Sequence, residues 1–397
     1  MPTVIDLQRA EDPRDIVYLA VQALAEGKVI ALPTETVYGL AASVLCADAV
    51  QRMTELKRKL EEQTPTGGKP RTEYSLAIAV KSADEAIDYM CHDSPLAIRF
   101  ARRCWPGPVT LVVPCDPTRS AASCFPEAVR ELVVSQSGHI GVRVVAHRLF
   151  EQLQKYCAGP IVICSANRCG SPSTTTGVAV VEQFGDDVPL VVDDGPTRYG
   201  GPSTVVRANG NQFKIIREGV VETAAIRQYA RPSIVLVCTG NTCRSPMAEA
   251  LLKKRIDERF GNSPSGAIIP SVSSVGLAAM PGDQAATQAV DVMRERGLDI
   301  SGHESQPFGE QTIRSADLIL TMTRSHRNAI LQRWPHAQDR VFTVRRDGGD
   351  ISDPVGSPVQ IYQACADQID RELAQWVESL GPEWLAIPES GEEGENQ

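Results

Sequence analysis

Apolar residues recur along this chain at two periods, one helical and one extended, and segments of the two kinds alternate almost from end to end. Residues 15–26 put Ile16, Leu19, Ala20, Ala23 and Leu24 on one helical face, and Gly27 closes the segment. An apolar run over 29–32 then predicts a strand that leads into Pro33-Thr-Glu-Thr-Val-Tyr-Gly-Leu40. The spacing predicts further helices over 50–62, 83–90, 95–103 and 149–156, and strands over 76–80, 111–113, 140–145 and 161–164. Residues 220–230 read as a short helix or linker. After Arg231-Pro232, Ile234 to Val237 reads as a buried strand and 248–260 as a helix with Pro246 near its first turn. Strands over 272–275, 316–322 and 341–344 then alternate with helices over 285–296, 325–332 and 361–379. The alternation predicts an α/β protein, and a half that opens on strand, loop and helix predicts a doubly wound parallel sheet with its site at the strand ends.

Length adds a second domain to that picture, because 397 residues exceed one ordinary core. A hydrophobic content of 42% with 22% charged residues is that of a soluble globular protein. The chain shows neither a signal peptide nor an apolar run of the roughly 20 residues a membrane span needs, so a cytoplasmic protein with no membrane partner is expected. Eleven irregularly spaced cysteines fit a reducing compartment, and without a C-x-x-C pair or His/Cys cluster no metal site is expected. A formal charge of −9 argues against broad nucleic-acid binding. From Pro382 onward five glutamates occur with no basic residue, which predicts an acidic, disordered tail.

Candidate chemistry concentrates in Cys238-Thr239-Gly240-Asn241-Thr242-Cys243-Arg244-Ser245, the polar loop between the buried strand and its helix. Cys238 and Arg244 stand six positions apart, so backbone N–H groups and the guanidinium are able to converge on one tetrahedral oxyanion above the positive end of the helix. That field also favours a cysteine's thiolate. A buried structural cysteine is the plainer alternative; Gly240, Asn241 and Ser245, suited to an anion-cradling turn or to bonding a thiolate, argue against it. The loop resembles the signature of the low-molecular-weight protein-tyrosine-phosphatase family, and within it the bacterial protein arginine phosphatases. The resemblance implies a cofactor-free phosphatase working through a cysteinyl-phosphate on phosphorylated proteins. Asp353-Pro354 stands where that family places its general acid. Threonine at position 242, where an aliphatic residue goes with phosphotyrosine, implies phosphoarginine. Val355-Gly356, in place of the aromatics that line a tyrosine slot, points the same way.

The first half carries PTETVYGLA, WPGPVTLVV, GVRVVAH, Cys164-Ser-Ala-Asn167, Pro202-Ser-Thr-Val-Val206 and Ile215-Ile-Arg217-Glu-Gly219, in that order. Together these resemble the YrdC-like threonylcarbamoyl-AMP synthases. The implied fold is a twisted-sheet α/β domain over residues 10–219, followed by a linker over 220–232, the doubly wound phosphatase domain over 233–380 and the tail over 381–397. The implied activity joins L-threonine, bicarbonate and ATP, with Mg²⁺ accompanying ATP, and serves tRNA only indirectly, through other modification proteins. Thr34 and Tyr38 offer hydroxyls, Ser165, Asn167, Ser203 and Thr204 offer short polar contacts, and Arg143 and Arg217 are suited to phosphate. The family's Lys-x-Arg-Pro phrase is altered here to Glu55-Leu-Lys57-Arg58-Lys59-Leu60. Either Lys57 keeps its role with Lys59 beside it, or Lys69 and Arg71 take over. If neither serves, the first half is a nucleotide- or RNA-binding sensor joined to a phosphotyrosine phosphatase.

Overall fold

The computed structural model describes residues 1–62, 76–90, 94–167 and 171–389. The chain divides into two compact units, one formed by Met1–Tyr229 with Glu389 and the other by Ala230–Pro388.

The first unit carries strands β1 (Thr3–Asp6), β2 (Ile30–Leu32), β3 (Gly39–Ser43), β4 (Ala77–Ala79), β5 (Val109–Pro114), β6 (His139–Arg143), β7 (Ile161–Ser165), β8 (Leu190–Asp193), β9 (Thr204–Asn209) and β10 (Gln212–Arg217). Its helices are α1 (Pro13–Ala25), α2 (Ala47–Glu62), α3 (Ala83–Ile87), α4 (Pro95–Cys104), α5 (Glu127–Val133), α6 (Arg148–Tyr156), α7 (Gly177–Phe184) and α8 (Thr223–Ala230). The strands form one mixed sheet in the order β1-β8-β2-β3-β7-β4-β6-β5-β9-β10. Helix α1 starts where its sequence says it should: Asp12 caps the amide of Arg14 at 2.9 Å and Pro13 takes the first turn. Its buried face, Ile16, Val17, Ala20, Ala23 and Leu24, packs with Ile30, Leu32, Leu149 and Leu153 into one core cluster. Residues 220–232, read as a linker, contain α8, which buries Ile226.

The second unit is built from β11 (Ser233–Cys238), α9 (Arg244–Phe260), β12 (Ser271–Gly276), α10 (Thr287–Glu295), α11 (Glu310–Ser315), β13 (Leu318–Thr321), α12 (Arg324–Arg333), β14 (Val341–Thr343) and α13 (Val359–Glu378). All strand pairs in the order β12-β11-β13-β14 are parallel. Alternate residues of β11 serve opposite faces: Ile234, Leu236 and Cys238 join the core made with Leu251, Val292 and Ile369, whereas Val235 and Val237 join the one made with Ile313, Ile330 and Trp334. The sheet is therefore covered on both sides. Chain order reverses direction at β11, so the crevice beyond its carboxyl end is the switch point where open α/β sheets bind ligands.

One expectation is corrected at the far end. Residues 381–389, assigned to the acidic tail, continue the packed structure: Pro382–Trp384 form a 3-10 turn, and buried Ala386 exchanges backbone bonds with Ile268 at 2.8 and 3.1 Å. Trp384, Leu385 and Ala386 supply apolar surface that a count of charges passes over. Residues 390–397 lie outside the described residues.

Candidate active site

Strand β11 delivers Cys238 to the switch point, and six residues later α9 begins. Its N-cap, Cys243, makes no side-chain cap bond, so the first amides of α9 are not claimed by a capping side chain. The Cys238 sulfur accepts from the Asn241 amide at 3.2 Å and lies 3.0 Å from Ser245 Oγ. Asn241 Nδ2 donates to that same hydroxyl at 2.9 Å, which leaves the serine proton for the sulfur. Asn241 is the one non-glycine residue at positive φ, 58°, among the described residues. Such a conformation costs on the order of 1 kcal/mol. It is held by a surplus of bonds: Nδ2 also reaches Ser274 Oγ at 2.9 Å, Oδ1 accepts from Gln306 N at 2.8 Å, and the carbonyl lies 2.7 Å from His303 Nε2.

Arg244 is buried, donates to Ile351 O at 3.3 Å, and is ion-paired with Asp353, whose side chain is 43% exposed. Cation and acid thus meet at the mouth of the loop. Behind it, His326 Nε2 lies 2.9 Å from Thr239 Oγ1. The His326 ring is pushed below its ordinary range, by burial first and by the charge of Arg244 second, so it is held neutral. Cys243 turns its sulfur to the Tyr362 hydroxyl at 3.4 Å, and the Cys365 thiol is pushed up to about 12 by burial, which leaves it inert. Gly276, at the end of β12, is required for contact: a Cβ there would stand 2.5 Å from Thr239 O and 2.9 Å from Asn241 N.

In the first unit the predicted residues fall into three groups. Lys57 Nζ donates to Ser165 Oγ at 3.4 Å and to Asn167 O at 3.2 Å, at the end of β7. Arg143 is buried against Glu35, with NH2 2.9 Å from Oε1, and donates to Thr36 Oγ1 at 2.9 Å; Thr36 Oγ1 is in turn 2.9 Å from Thr34 Oγ1. Arg217 donates to Ser203 O at 3.0 Å and Ser203 Oγ at 3.2 Å, and Ser203 Oγ is 3.0 Å from Thr110 Oγ1. Burial lowers the Arg217 pKa, and the nearby positive charge of Arg143 lowers it further, so these two guanidiniums share a field that an anion relieves. Glu35 Oε2 and Arg143 Nε are both buried with no partner among the described residues.

Known proteins divide along the same line. Residues 233–385 match the model of low molecular weight phosphotyrosine protein phosphatases, and residues 22–219 match the Sua5/YciO/YrdC model, described as telomere recombination. A protein-arginine-phosphatase of Bacillus subtilis is 38% identical over 151 residues, covering 37% of this chain and 95% of its own length. The chain belongs to the low molecular weight phosphatase family, fused to a Sua5/YrdC domain. A probable low molecular weight protein-tyrosine-phosphatase of Ralstonia nicotianae, EpsP, is 34% identical and covers 36% of this chain and 93% of itself. A threonylcarbamoyl-AMP synthase of Pyrococcus abyssi is 34% identical over 189 residues, covering 47% of this chain and 49% of its own length, so the chain spans about half of that relative.

Within the phosphatase domain the predicted loop residues run without a break from the end of β11 into the first turn of α9, and Asp353 meets Arg244 there. Ser274, His303 and His326, which hold the loop from behind, were not anticipated: each lies 33 to 87 positions from its partner, and nothing local marks it. In the Sua5/YrdC domain two assignments are corrected. Tyr38 is fully buried, and its hydroxyl is spent on Asp193 Oδ1 at 2.6 Å, Gly195 O at 2.8 Å and the amide of Asp194 at 2.9 Å, so it ties β3 to the segment after β8. Thr204, also buried, spends its hydroxyl on Val221 O, Gly219 N and Val221 N at 2.8 to 3.1 Å. Glu35, unassigned although it sits in the PTETVYGL phrase, is the partner that fixes Arg143. Of the predicted residues that are described, only Thr34 lines the adjoining cavity of about 630 Å³, which Glu35, His147, Asp194 and Thr197 also border. Arg71 and Lys69 lie outside the described residues, as does the side chain of Lys59.

Proposed function

We propose that the chain is a bifunctional enzyme. Its Sua5/YrdC domain condenses L-threonine, bicarbonate and ATP to threonylcarbamoyl-adenylate with release of pyrophosphate, a product that other proteins use in the t6A modification of tRNA. Its phosphatase domain hydrolyses protein phosphoarginine through a cysteinyl-phosphate. The observation that carries the second activity is the convergence of the Cys238 sulfur, the Asn241 amide, Ser245 Oγ, Arg244 and Asp353 on one loop. The Cys238 thiolate attacks phosphorus while Arg244 and the loop amides hold the equatorial oxygens. As the P–N bond breaks, Asp353 gives its proton to the departing guanidine nitrogen. Water then attacks the phosphocysteine, Asp353 takes the proton, and the thiolate leaves with phosphate released. The half-exposed carboxylate of Asp353, bonded to Arg244, supports a role in which it exchanges that bond for these steps.

For the first activity the supporting observation is the Arg143, Arg217 and Ser203 cluster, in which the buried Arg143 Nε is a donor without a partner among the described residues that an anionic ligand would satisfy. Lys57, already at Ser165 and Asn167, would add a third cation. Among the described residues no group of three or more His, Cys, Asp or Glu side chains is gathered where a metal ion could be held. No described helix is long and apolar enough to cross a membrane. The test runs both reactions on one preparation. Wild type is expected to release pyrophosphate only with threonine, bicarbonate and ATP together, and to dephosphorylate phosphoarginyl protein. Cys238→Ser should lose only the second. ATP binding without pyrophosphate release would leave the first domain a sensor.

A further inference from the structure

A second surface of the phosphatase domain carries chemistry that hydrolysis does not use. Arg324 and Arg327 on α12, and Arg345 and Arg346 after β14, line a groove of about 710 Å³ together with Phe342 and Trp376. Among the described residues the lining holds four guanidiniums and no carboxylate, in a chain of formal charge −9. Neighbouring acids answer part of that charge: Asp347 pairs with Arg345 at 2.5 Å, Asp350 stands 3.7 Å from Arg324, and Glu372 adds to the field at Arg345. The remaining bonds each use one guanidinium nitrogen and leave the others of that fork unassigned to a carboxylate. Arg327 places Nε on Val341 O at 2.9 Å, and Arg346 lies 4.5 Å from the Trp376 ring centroid and donates to Ser379 Oγ.

This groove shares two elements with the catalytic loop. Between Arg324 and Arg327 on α12 sits His326, whose ring meets Thr239. The segment that supplies Arg345 and Arg346 runs on through Asp350, which accepts from the Arg324 amide at 2.8 Å, and Ile351, which accepts from Arg244, to Asp353. The elements that line the groove are thus the ones that hold the reacting loop. We infer that the groove docks acidic side chains of the protein substrate that flank the phosphorylated residue. This rests on the phosphatase reading above. Arg346 and Asp353 are seven positions apart, a span of at most about 25 Å of extended chain, so the docked carboxylates fall within about seven residues of the phosphorylated one. Guanidinium forks match carboxylates bidentately. A nucleic-acid strand would instead need an open aromatic face on which to stack bases, and Trp376 already carries Arg346 and stands 5.6 Å from Phe342.

The experiment compares phosphoarginyl peptides with acidic, neutral and basic flanks, phosphotyrosyl peptides with the same flanks, and para-nitrophenyl phosphate, all on the full chain. Wild type should show a KM about fivefold to tenfold lower for the acidic flank than for the neutral one, a gap that closes by about 0.5 M salt. Arg327→Glu with Arg346→Glu should erase the gap while leaving kcat and para-nitrophenyl phosphate hydrolysis unchanged; Arg327→Gln with Arg346→Gln, a milder pair, should halve it. Equal KM for acidic and neutral flanks in wild type overturns the inference. So does loss of para-nitrophenyl phosphate hydrolysis in the Gln pair, since the arginines would then act through the fold. A single-stranded oligonucleotide that competes better than an oligoglutamate peptide would assign the groove to nucleic acid instead. Wild type that hydrolyses no substrate at all refutes the phosphatase reading itself, which is a separate result.

Discussion

Substituting Gly276 with alanine tests whether the phosphatase loop is held in place by close backbone contact rather than by its own sequence. A Cβ built there stands 2.5 Å from Thr239 O, 2.9 Å from Asn241 N and 2.9 Å from Ala279 Cβ, whereas ordinary contact begins at 3.4 Å. The Thr239 carbonyl must therefore retreat by about 0.9 Å and the Asn241 amide by about 0.5 Å. Neither atom is the far end of a flexible side chain. Thr239 O accepts from Ala278 N at 2.9 Å, and Asn241 N is the donor to the Cys238 sulfur. Overpacking of this kind costs roughly 1–3 kcal/mol of stability, and a misplacement near 1 Å in a reacting constellation costs on the order of a hundredfold in rate. Gly276→Ala should accordingly lower kcat for para-nitrophenyl phosphate by about two orders of magnitude. Threonine-dependent pyrophosphate release, measured on the same protein, should not move. The assay is steady-state phosphate release alongside a thermal scan. A variant with kcat within threefold of wild type would show that the loop does not depend on that contact, and the reasoning would fail.

Asp353→Ala should slow substrates with poor leaving groups far more than an activated aryl phosphate, because the lost proton matters only where the leaving group needs it; equal loss on both would remove Asp353 as the acid. For His326 the lowered pKa gives the sign. The unfolded ring takes up its proton near 6.5, before the folded ring does, so stability present above 6.5 is lost as pH falls below it. The urea midpoint for loss of phosphatase activity should fall between pH 7.5 and pH 5.5, and less steeply in His326→Gln; identical slopes would refute the assignment. Thr242, half-buried and anchored through its carbonyl to Ala286 N at 2.8 Å, should govern the leaving group. Thr242→Ile is expected to shift the ratio of specificity constants toward phosphotyrosine over phosphoarginine by at least about tenfold, roughly 1.4 kcal/mol. If it slows both alike, arginine selectivity does not reside there.

The candidate loop was legible as a unit because it is made of consecutive residues: one strand end, one turn and one helix start carry Cys238, Arg244 and Ser245. What positions the loop was not legible. Nothing local marks Ser274, His303 or His326: the parallel register of β11 with β12 sets Ser274 behind the loop, and bonds to Asn241 O and Thr239 Oγ1 bring in the two histidines. The same limit operated on secondary structure. Strand β3, Gly39-Leu-Ala-Ala-Ser43, has no β-branched residue and only a weak extended signature; it is a strand because β2 and β7 pair on either side of it. Tyr38 shows how a phrase misleads: its place in PTETVYGL suggested a hydroxyl for substrate, yet burial and Asp193 claim it.

The two domains hold their arginines under opposite conditions, and this constrains how each would meet a phosphate. Arg244 is paired with a carboxylate 43% exposed to water, so Asp353 is able to turn away and be solvated when an anion arrives. Arg143 is paired with Glu35 at 6% and 3% exposure. Separating that pair strands a buried charge, at about 3–5 kcal/mol, so a nucleotide must add to the Arg143–Glu35 unit rather than replace Glu35. On the proposed function, the unit would be nearly neutral toward a triphosphate and would serve mainly to orient. Arg217 is the contrasting case: it is bonded to the neutral oxygens of Ser203, and the charge of Arg143 acts on it unfavourably. An anion gains most beside the cation whose charge is least compensated. Phosphate neutralisation in the Sua5/YrdC domain should therefore fall on Arg217 and Lys57, with Arg143 as the fixed member against which they are set.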